Sequence, residues 1–355
     1  MDSWKIILFP IAWVYGWAIR FRHFLFNKGI LRSRSFPMPV ISVGNLSIGG
    51  TGKTPLIEYL IRLLIKENKI ATLSRGYGRK TKGFLVGNQF SQHQEVGDEP
   101  MQYVRKFESK VLVAVDENRR KGIRHLMEND ESLDLVLLDD AFQHRYVKPG
   151  LSILLTDFHK LYREDYLLPV GTLRDTIHAA SRADIIIVTK SHKVLSPITR
   201  TRITDILKPE PHQSLYFSYL EYGEFEPLFD EYKQTIPKKI RTIILFSGIA
   251  NSYPLQEHLQ QLGDELHVID FPDHHVYRKK DIEKVIKKYE DAFTKKKIIV
   301  TTEKDAMRLM NSPYISTLQN LPVYYKPVRV KLHKPDDERF ENQILTYVKE
   351  NKRNN

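Results

Sequence analysis

Val40-Ile41-Ser42-Val43-Gly44-Asn45-Leu46-Ser47-Ile48-Gly49-Gly50-Thr51-Gly52-Lys53-Thr54-Pro55 is the stretch that decides the fold. It opens with a short, largely β-branched run ending at glycine, which reads as a strand entering a tight turn. Leu56, Tyr59, Leu60, Leu63 and Leu64 then recur at three- and four-residue spacing, predicting a helix over residues 55–66. Pro55 starts that helix without losing a needed donor. A glycine-rich turn between strand and helix is a phosphate cradle, because glycines let successive backbone N–H groups point inward at phosphate oxygens. Gly49, Gly50, Thr51 and Gly52 supply the cradle, Lys53 bridges the β and γ phosphates, and the Thr54 hydroxyl ligates Mg²⁺. The strict Walker pattern has glycine where Ser47 stands, so a literal search passes over this loop.

Outward from the loop, apolar runs at residues 70–73, 111–115, 135–138, 151–155 and 185–188 are mostly separated by helix-length polar or amphipathic stretches. Strands alternating with helices predict an α/β fold: a P-loop NTPase-type parallel sheet with helices on both faces. Around residues 215–237 aromatic and polar residues alternate, with Gly223 and Pro227 between, which reads as a hairpin-like connector. Strand candidates at 242–246, 265–269, 298–302 and 323–325 and a helix at 281–289 then predict a smaller C-terminal α/β domain. The expected organisation is an N-terminal apolar helix region over 1–36, a P-loop domain over 37–214, a hairpin-like linker over 215–238 and the smaller domain over 239–350.

The chain has 355 residues, 41% hydrophobic and 28% charged, which supports two domains with ample cores and excludes disordered and collagenous classes. With no cysteine there is no disulfide framework, thiol nucleophile or zinc-thiolate site, so catalysis falls to carboxylates, His, Lys or a bound metal. The net charge of +12 points to an anionic partner: nucleic acid, phosphate or an acidic membrane surface. Residues 4–19 are strongly apolar, carry all three tryptophans (Trp4, Trp13, Trp17), and precede Arg20, Arg22, Lys28, Arg32 and Arg34. The run is too short to span a bilayer and lacks a signal-peptide layout. It suits a helix lying in the headgroup layer of an anionic leaflet, with an ordinary buried first helix as the alternative.

Leu135-Val136-Leu137-Leu138-Asp139-Asp140 is an apolar strand ending in two carboxylates, the Walker B arrangement that places an aspartate at the metal. Asp139 is the ligand by position. Adjacent residues on a strand face opposite ways, so Asp140 need not share the site, although Gln143 and His144 just beyond can. Gly97-Asp98-Glu99-Pro100 precedes an amphipathic helix; its acids either cap that helix or serve as base and second Mg²⁺ contact. Phe271-Pro272-Asp273-His274-His275 reads as general-base support rather than zinc. Ser74-Arg75-Gly76-Tyr77-Gly78-Arg79 and Gly171-Thr172-Leu173-Arg174-Asp175 are glycine-spaced basic turns that could clamp anions, and Thr302-Glu303-Lys304-Asp305 reads as a helix start.

Taken in order, GNLSIGGTGKTP, LSRGYGR, VGDEP, LLDDAFQH, GTLRD, FPDHH and TTEKDA resemble the motif series of the tetraacyldisaccharide 4'-kinases, the lipid A 4'-kinases of Gram-negative bacteria, over residues 44–306. The resemblance implies a peripheral P-loop kinase on the cytoplasmic face of the inner membrane. It would use ATP and Mg²⁺ to phosphorylate the 4'-hydroxyl of tetraacyldisaccharide 1-phosphate, with an anionic membrane surface as its other partner and neither nucleic acid nor a protein partner. It further implies Lys53 and Thr54 as phosphate and Mg²⁺ contacts, Asp98 as catalytic base and His274 as the residue paired with that base. Glu99 and Asp139 fall on carboxylates linked with Mg²⁺, and Asp140, Gln143, His144 and Arg174 on other active-site positions. Asp175 stands where glutamate is expected to meet metal, and Arg119, with Arg120 beside it, falls near a further arginine of the family.

The rival reading is a membrane-associated switch ATPase with a deviant Walker loop, Lys-Gly-Gly-x-Gly-Lys-Thr; here Ile48 replaces its first lysine. A GTPase would read guanine after a strand, but Thr189-Lys190-Ser191-His192 lacks the aspartate required. A pure lipid-binding module would not need Lys53, Thr54 and Asp139 together.

Overall fold

The computed structural model describes residues 7–232, 236–273, 275–310 and 312–352, which divide into two compact units. Unit 1 comprises Met1–Leu220 and Val330–Asn355, and unit 2 comprises Glu221–Arg329.

Unit 1 begins with α1 (Phe9–Asn27), β1 (Val40–Asn45), α2 (Lys53–Leu64), β2 (Ile70–Ser74), β3 (Leu85–Gly87), α3 (His93–Val96) and α4 (Asp98–Phe107). It continues through β4 (Val111–Val115), α5 (Arg119–Asn129), β5 (Leu135–Asp139), β6 (Leu151–Asp157), β7 (Ile185–Thr189), α6 (Pro197–Leu207) and β8 (Ser214–Tyr222). Unit 2 holds β9 (Glu226–Pro227), β10 (Ile240–Ser247), α7 (Tyr253–Gln260), β11 (Gly263–Asp270), α8 (Lys279–Glu290), β12 (Lys297–Thr302), α9 (Glu303–Leu309) and β13 (Val323–Lys326). The chain re-enters unit 1 within β14 (Val328–Leu332) and ends in α10 (Asp336–Asn351).

The large sheet runs β14-β8-β7-β6-β1-β5-β2-β4-β3. From β8 to β4 the neighbours pair in parallel, and β3 closes one edge antiparallel to β4. Helices cover both faces, so β1, β2, β5 and β7 are buried at every position. After β1 the chain runs through β2, β3 and β4 on one side, returns with β5 between β1 and β2, then starts β6 on the other side of β1. The open end of β1 is therefore the topological switch point, where α/β sheets place their ligands. The second sheet, β11-β10-β12-β13-β9, is parallel except for its β13–β9 pair.

The expected α/β architecture stands, but the divisions move. Residues 214–222 form a strand rather than half of a hairpin, pairing in parallel with β7 from Ile185↔Ser214 to Val188↔Phe217 after the α6 crossover. Tyr216 and Phe217 are adjacent and both buried, on opposite faces of a covered strand. Residues 330–352 also leave the smaller domain: Phe340, Ile344 and Val348 of α10 lie in the core under α2, with Phe340 edge-on to Tyr216 at 5.4 Å. An amphipathic helix follows the apolar surface that buries it, and chain order gives no warning of that return.

One buried ion group orders this side of the sheet. Glu58 of α2 is fully buried and accepts hydrogen bonds from Arg62 (2.9 Å) and, on α4, from Gln102 (2.7 Å) and Lys106 (2.7 Å). It ties the helix that starts at the glycine-rich loop to the helix that starts at Asp98.

Candidate active site

The glycine-rich loop leaves β1 at Asn45 and returns as α2, whose first residue is Lys53. Gly52 caps α2 at φ +84°, a left-handed conformation that strains any side chain. From β7, the Thr189 hydroxyl donates to the Thr51 carbonyl (2.9 Å) and holds the loop from outside. Thr189 belongs to the segment weighed as a guanine reader, and its neighbour Lys190 pairs with Asp157 at 2.8 Å.

Asn45 is the hub of the polar cluster, and motif reading missed it. It is fully buried; its Oδ1 accepts from Lys53 (3.3 Å) and Arg174 (2.7 Å), and its carbonyl accepts from Gln143 (2.7 Å). The available signal was a polar side chain ending a largely apolar strand. Arg174 also grips both oxygens of Asp140, and Lys53 lies 3.8 Å from Asp140. Burial opposes charge on Asp140, but Lys53 and Arg174 outweigh it and hold the carboxyl below its ordinary range. Asp140 thus joins the loop despite the alternation of a strand, because it lies just past β5 at φ +48°.

Asp139 sits differently. It is 4% exposed, Oδ2 accepts from the buried Tyr103 hydroxyl at 2.9 Å, and Oδ1 has no partner. Burial, then the fields of Glu99 and Asp140, push its pKa up to about 6 against the opposing pull of Lys53 and Tyr103. A buried acceptor with nothing to accept costs about 1–3 kcal/mol. An oxygen donor left open in this way fits a hard cation such as Mg²⁺, which takes one or two carboxylates and fills its remaining positions with phosphate and water.

Asp98 and Glu99 form the first turn of α4. Glu99 is close enough for its charge to raise both Asp139 and Tyr103, so these carboxylates share one neighbourhood. Arg119 is the inward member of its pair: 3% exposed, it donates to the backbone carbonyls of Asp116 (3.1 Å) and Asp139 (3.4 Å). Burial is the main influence bringing it down to about 10. Arg120 instead lines a cavity with His144.

Asp175, expected as a metal contact, pairs with side chains of the protein itself. Its buried carboxylate lies 2.6 Å from His23 Nε2 and 3.3 Å from Arg182, and it accepts from the Thr176 amide at 2.8 Å. Arg145 donates to His23 Nδ1 (3.0 Å), which leaves Nε2 to carry the proton toward Asp175. Burial opposes its charge, yet His23 and Arg182 hold its pKa low, so it stays charged and docks α1. His274, expected beside the base, lies outside the described residues, as does Trp4. Among the described residues no group of three or more His, Asp or Glu side chains could hold a metal unaided.

α1 packs by one face on the segments that follow β5 and flank Arg174. Tyr15 donates to the Arg174 carbonyl (3.1 Å), Arg22 to that of Gln143 (3.2 Å), and Phe26 meets Tyr146 edge-on at 5.1 Å. Its other face exposes Trp13 (68%), Trp17 (59%), Phe21 and Phe24. Among the described residues no helix is long and apolar enough to cross a membrane.

A glycine-rich loop at the switch point, a lysine opening the helix behind it and an open carboxylate on the adjacent strand together define a P-loop nucleotide-binding protein. A family model described as "LpxK: Tetraacyldisaccharide-1-P 4'-kinase" matches residues 4–349, and the chain belongs to that family. It is 43% identical to the tetraacyldisaccharide 4'-kinase of Bacteroides thetaiotaomicron, over 98% of this chain and 94% of that protein. It is also 43% identical to the enzyme of the same name from Flavobacterium johnsoniae, over 99% of both. The solved structure of LpxK from Aquifex aeolicus in complex with ATP superposes with a TM-score of 0.72 at 29% identity, covering 98% of this chain and 100% of that one.

Proposed function

We propose that this protein transfers the γ-phosphate of ATP to the 4'-hydroxyl of tetraacyldisaccharide 1-phosphate, at the cytoplasmic face of the bacterial inner membrane. The observation that carries the reading is the pairing of two aspartates in one loop system. Asp140 is held charged by Lys53 and Arg174, while Asp139 is buried with one oxygen open. Family membership supports the kinase and sets the switch ATPase aside.

In this mechanism the loop amides and Lys53 hold the β and γ phosphates, and Arg174 stays positioned by Asp140 and Asn45 for charge developing on the transferred group. Gln143 keeps the loop base rigid through the Asn45 carbonyl. Asp139, the Thr54 hydroxyl and Glu99 are the residues that would hold Mg²⁺, which when bound supplies charge neutralisation on the β and γ oxygens. Asp98, leading α4 beside Glu99, takes the proton of the attacking hydroxyl. The exposed aromatic face of α1, with its basic flank, rests in the headgroup layer where the acylated acceptor resides.

The test is transfer of labelled γ-phosphate from ATP to tetraacyldisaccharide 1-phosphate in detergent with Mg²⁺, by wild type and Asp98→Ala. Labelled lipid from wild type and its loss in a variant that still binds ATP is the expected result. Lipid-stimulated ATP hydrolysis without labelled lipid would overturn the reading.

A further inference from the structure

Unit 2 carries an exposed surface that the transfer chemistry leaves unused. Parallel strands all begin at one end of their sheet, so residues far apart in the chain converge there. Lys238 and Lys239 precede β10 and Arg241 lies just inside it, while Lys295 and Lys296 precede β12. The Arg241 amide donates to the Lys296 carbonyl at 2.8 Å, so the two basic runs lie side by side, and all five side chains are exposed. The motifs that follow β11 and β12 leave from the opposite end of the sheet. Of the acids nearest this end, Asp264 pairs with Lys239 at 3.8 Å, and Glu290 and Asp291 close α8. Among the described residues Lys238, Arg241, Lys295 and Lys296 have no carboxylate partner. Phe293 is fully exposed in the turn between α8 and β12, and Leu262, just before β11, is exposed at the same end. The turn is braced from within. Lys297 Nζ donates to the carbonyls of Tyr289 (2.6 Å) and Ala292 (2.7 Å) and lies 4.3 Å from the centre of the Tyr289 ring. The Thr294 hydroxyl accepts from the Lys296 amide at 3.1 Å.

A fully exposed phenylalanine forfeits the gain of burying a large apolar ring unless something outside the chain covers it. The unpaired cations around Phe293 select an anionic cover. A lipid leaflet meets both demands, with an acyl layer for the ring and phosphate headgroups for the ammonium groups, whose methylene stems suit the boundary between the two. A nucleic-acid surface instead stacks aromatic rings along a basic groove, whereas Phe293 stands out in a turn. Resting on the lipid-acceptor reading above for the kind of surface met, we propose that this end of unit 2 docks on an anionic lipid leaflet. Phe293 enters the acyl boundary, and Lys238, Arg241, Lys295 and Lys296 meet the headgroups. The contact is separate from the exposed face of α1 and uses none of its residues. It also gives a role to the basic starts of β10 and β12, which neither the sheet nor the transfer chemistry requires.

The chain has no cysteine, so Phe293→Cys gives a single site for an environment-sensitive fluorophore on the full-length protein. Vesicles of phosphatidylcholine and phosphatidylglycerol in equal parts should brighten and blue-shift its emission, and pure phosphatidylcholine should not. Partition is then measured in a full-length chain whose α1 contact is weakened by Trp13→Ser and Trp17→Ser, both exposed positions. There, Phe293→Ser should lower binding to the mixed vesicles about tenfold. Lys295→Gln with Lys296→Gln should lower it about twentyfold. In the otherwise wild-type chain these unit 2 substitutions should leave turnover of detergent-dispersed acceptor unchanged and reduce turnover of acceptor embedded in the mixed vesicles. An unshifted fluorophore, an equal response to pure phosphatidylcholine, or unchanged partition in the variants would overturn the docking surface while leaving the kinase intact. A stronger response to duplex DNA than to the mixed vesicles would make the partner a nucleic acid and overturn it likewise. If wild type transferred no phosphate to lipid in detergent yet the fluorophore answered the mixed vesicles, the surface would stand and the acceptor assignment would fall.

Discussion

Asp139→Asn should stabilise the folded protein while removing its activity, because the wild-type carboxylate is held in a place that disfavours its charge. Its pKa rises from the ordinary 3.8 to about 6. At about 1.36 kcal/mol per pH unit, the native state forfeits about 3 kcal/mol on ionising this buried group. The sign follows from linkage. Between pH 3.8 and about 6 the folded protein binds a proton that the unfolded chain has released. The stabilisation is complete below the unfolded value and is lost as pH rises through the folded one. Asparagine cannot ionise, so the stability difference between variant and wild type should be constant below about pH 4 and should grow in the variant's favour to a plateau above about pH 7. For a unit of this size the total swing corresponds to about 6–12 °C in unfolding midpoint. Thermal or urea unfolding of both proteins across that range, without nucleotide or Mg²⁺, measures it, and effects common to both chains cancel. Adding Mg²⁺ and ATP should reverse the order at neutral pH by stabilising wild type alone. A flat difference, or one that favours wild type as pH rises, would refute the account of Asp139 as a carboxylate left open for a cation.

Four further outcomes follow from the same geometry. Gly52→Ala places a Cβ at φ +84°, with Thr189 Cβ 3.8 Å away, so backbone strain rather than a clash should cost about 1 kcal/mol or more and weaken ATP binding in a titration. Arg174→Lys keeps the charge but loses the two-pronged grip on Asp140, and should lower kcat more than it raises KM for ATP. Asp175→Ala leaves His23 and Arg182 without their buried partner, so stability should drop by about 3–5 kcal/mol and limited proteolysis near residue 30 should accelerate. The Mg²⁺ dependence of whatever activity remains in that variant should match wild type; a shifted Mg²⁺ requirement would reinstate Asp175 as a ligand. Lys106→Met strips one cation from the buried Glu58 and loosens α4 from α2, so turnover should fall with little change in ATP affinity.

Local pattern revealed those parts of this protein whose physics is local. The loop from Gly44 to Thr54 declares itself because only glycines allow its backbone to turn inward, and Lys53 and Thr54 follow at the helix start. The buried parallel strands declare themselves because covering both faces makes them apolar throughout. The same rule misled at residues 214–222, where alternating aromatics suggest a hairpin, yet α6 carries the chain across to a parallel position beside β7. At the site, Asp139 and Asp140 were legible as a pair but their different roles were not. One enters a loop at φ +48° and meets Arg174, 34 residues away, while the other is sealed under Tyr103.

By itself, then, the sequence determined that this chain is an α/β phosphate-binding protein with a Walker B carboxylate and an apolar, basic-flanked first helix, since periodicity, glycine and adjacent charge act within a few residues. Only the tertiary structure decided that Asn45 gathers Lys53, Arg174 and Gln143, that Asp175 docks His23 of α1, that Arg119 rather than Arg120 turns inward, and that α10 returns to the first core. Each of those outcomes depends on groups far apart in the chain meeting at low exposure. There, burial and the nearest partner set both charge state and role, and no local spacing encodes which partner that is.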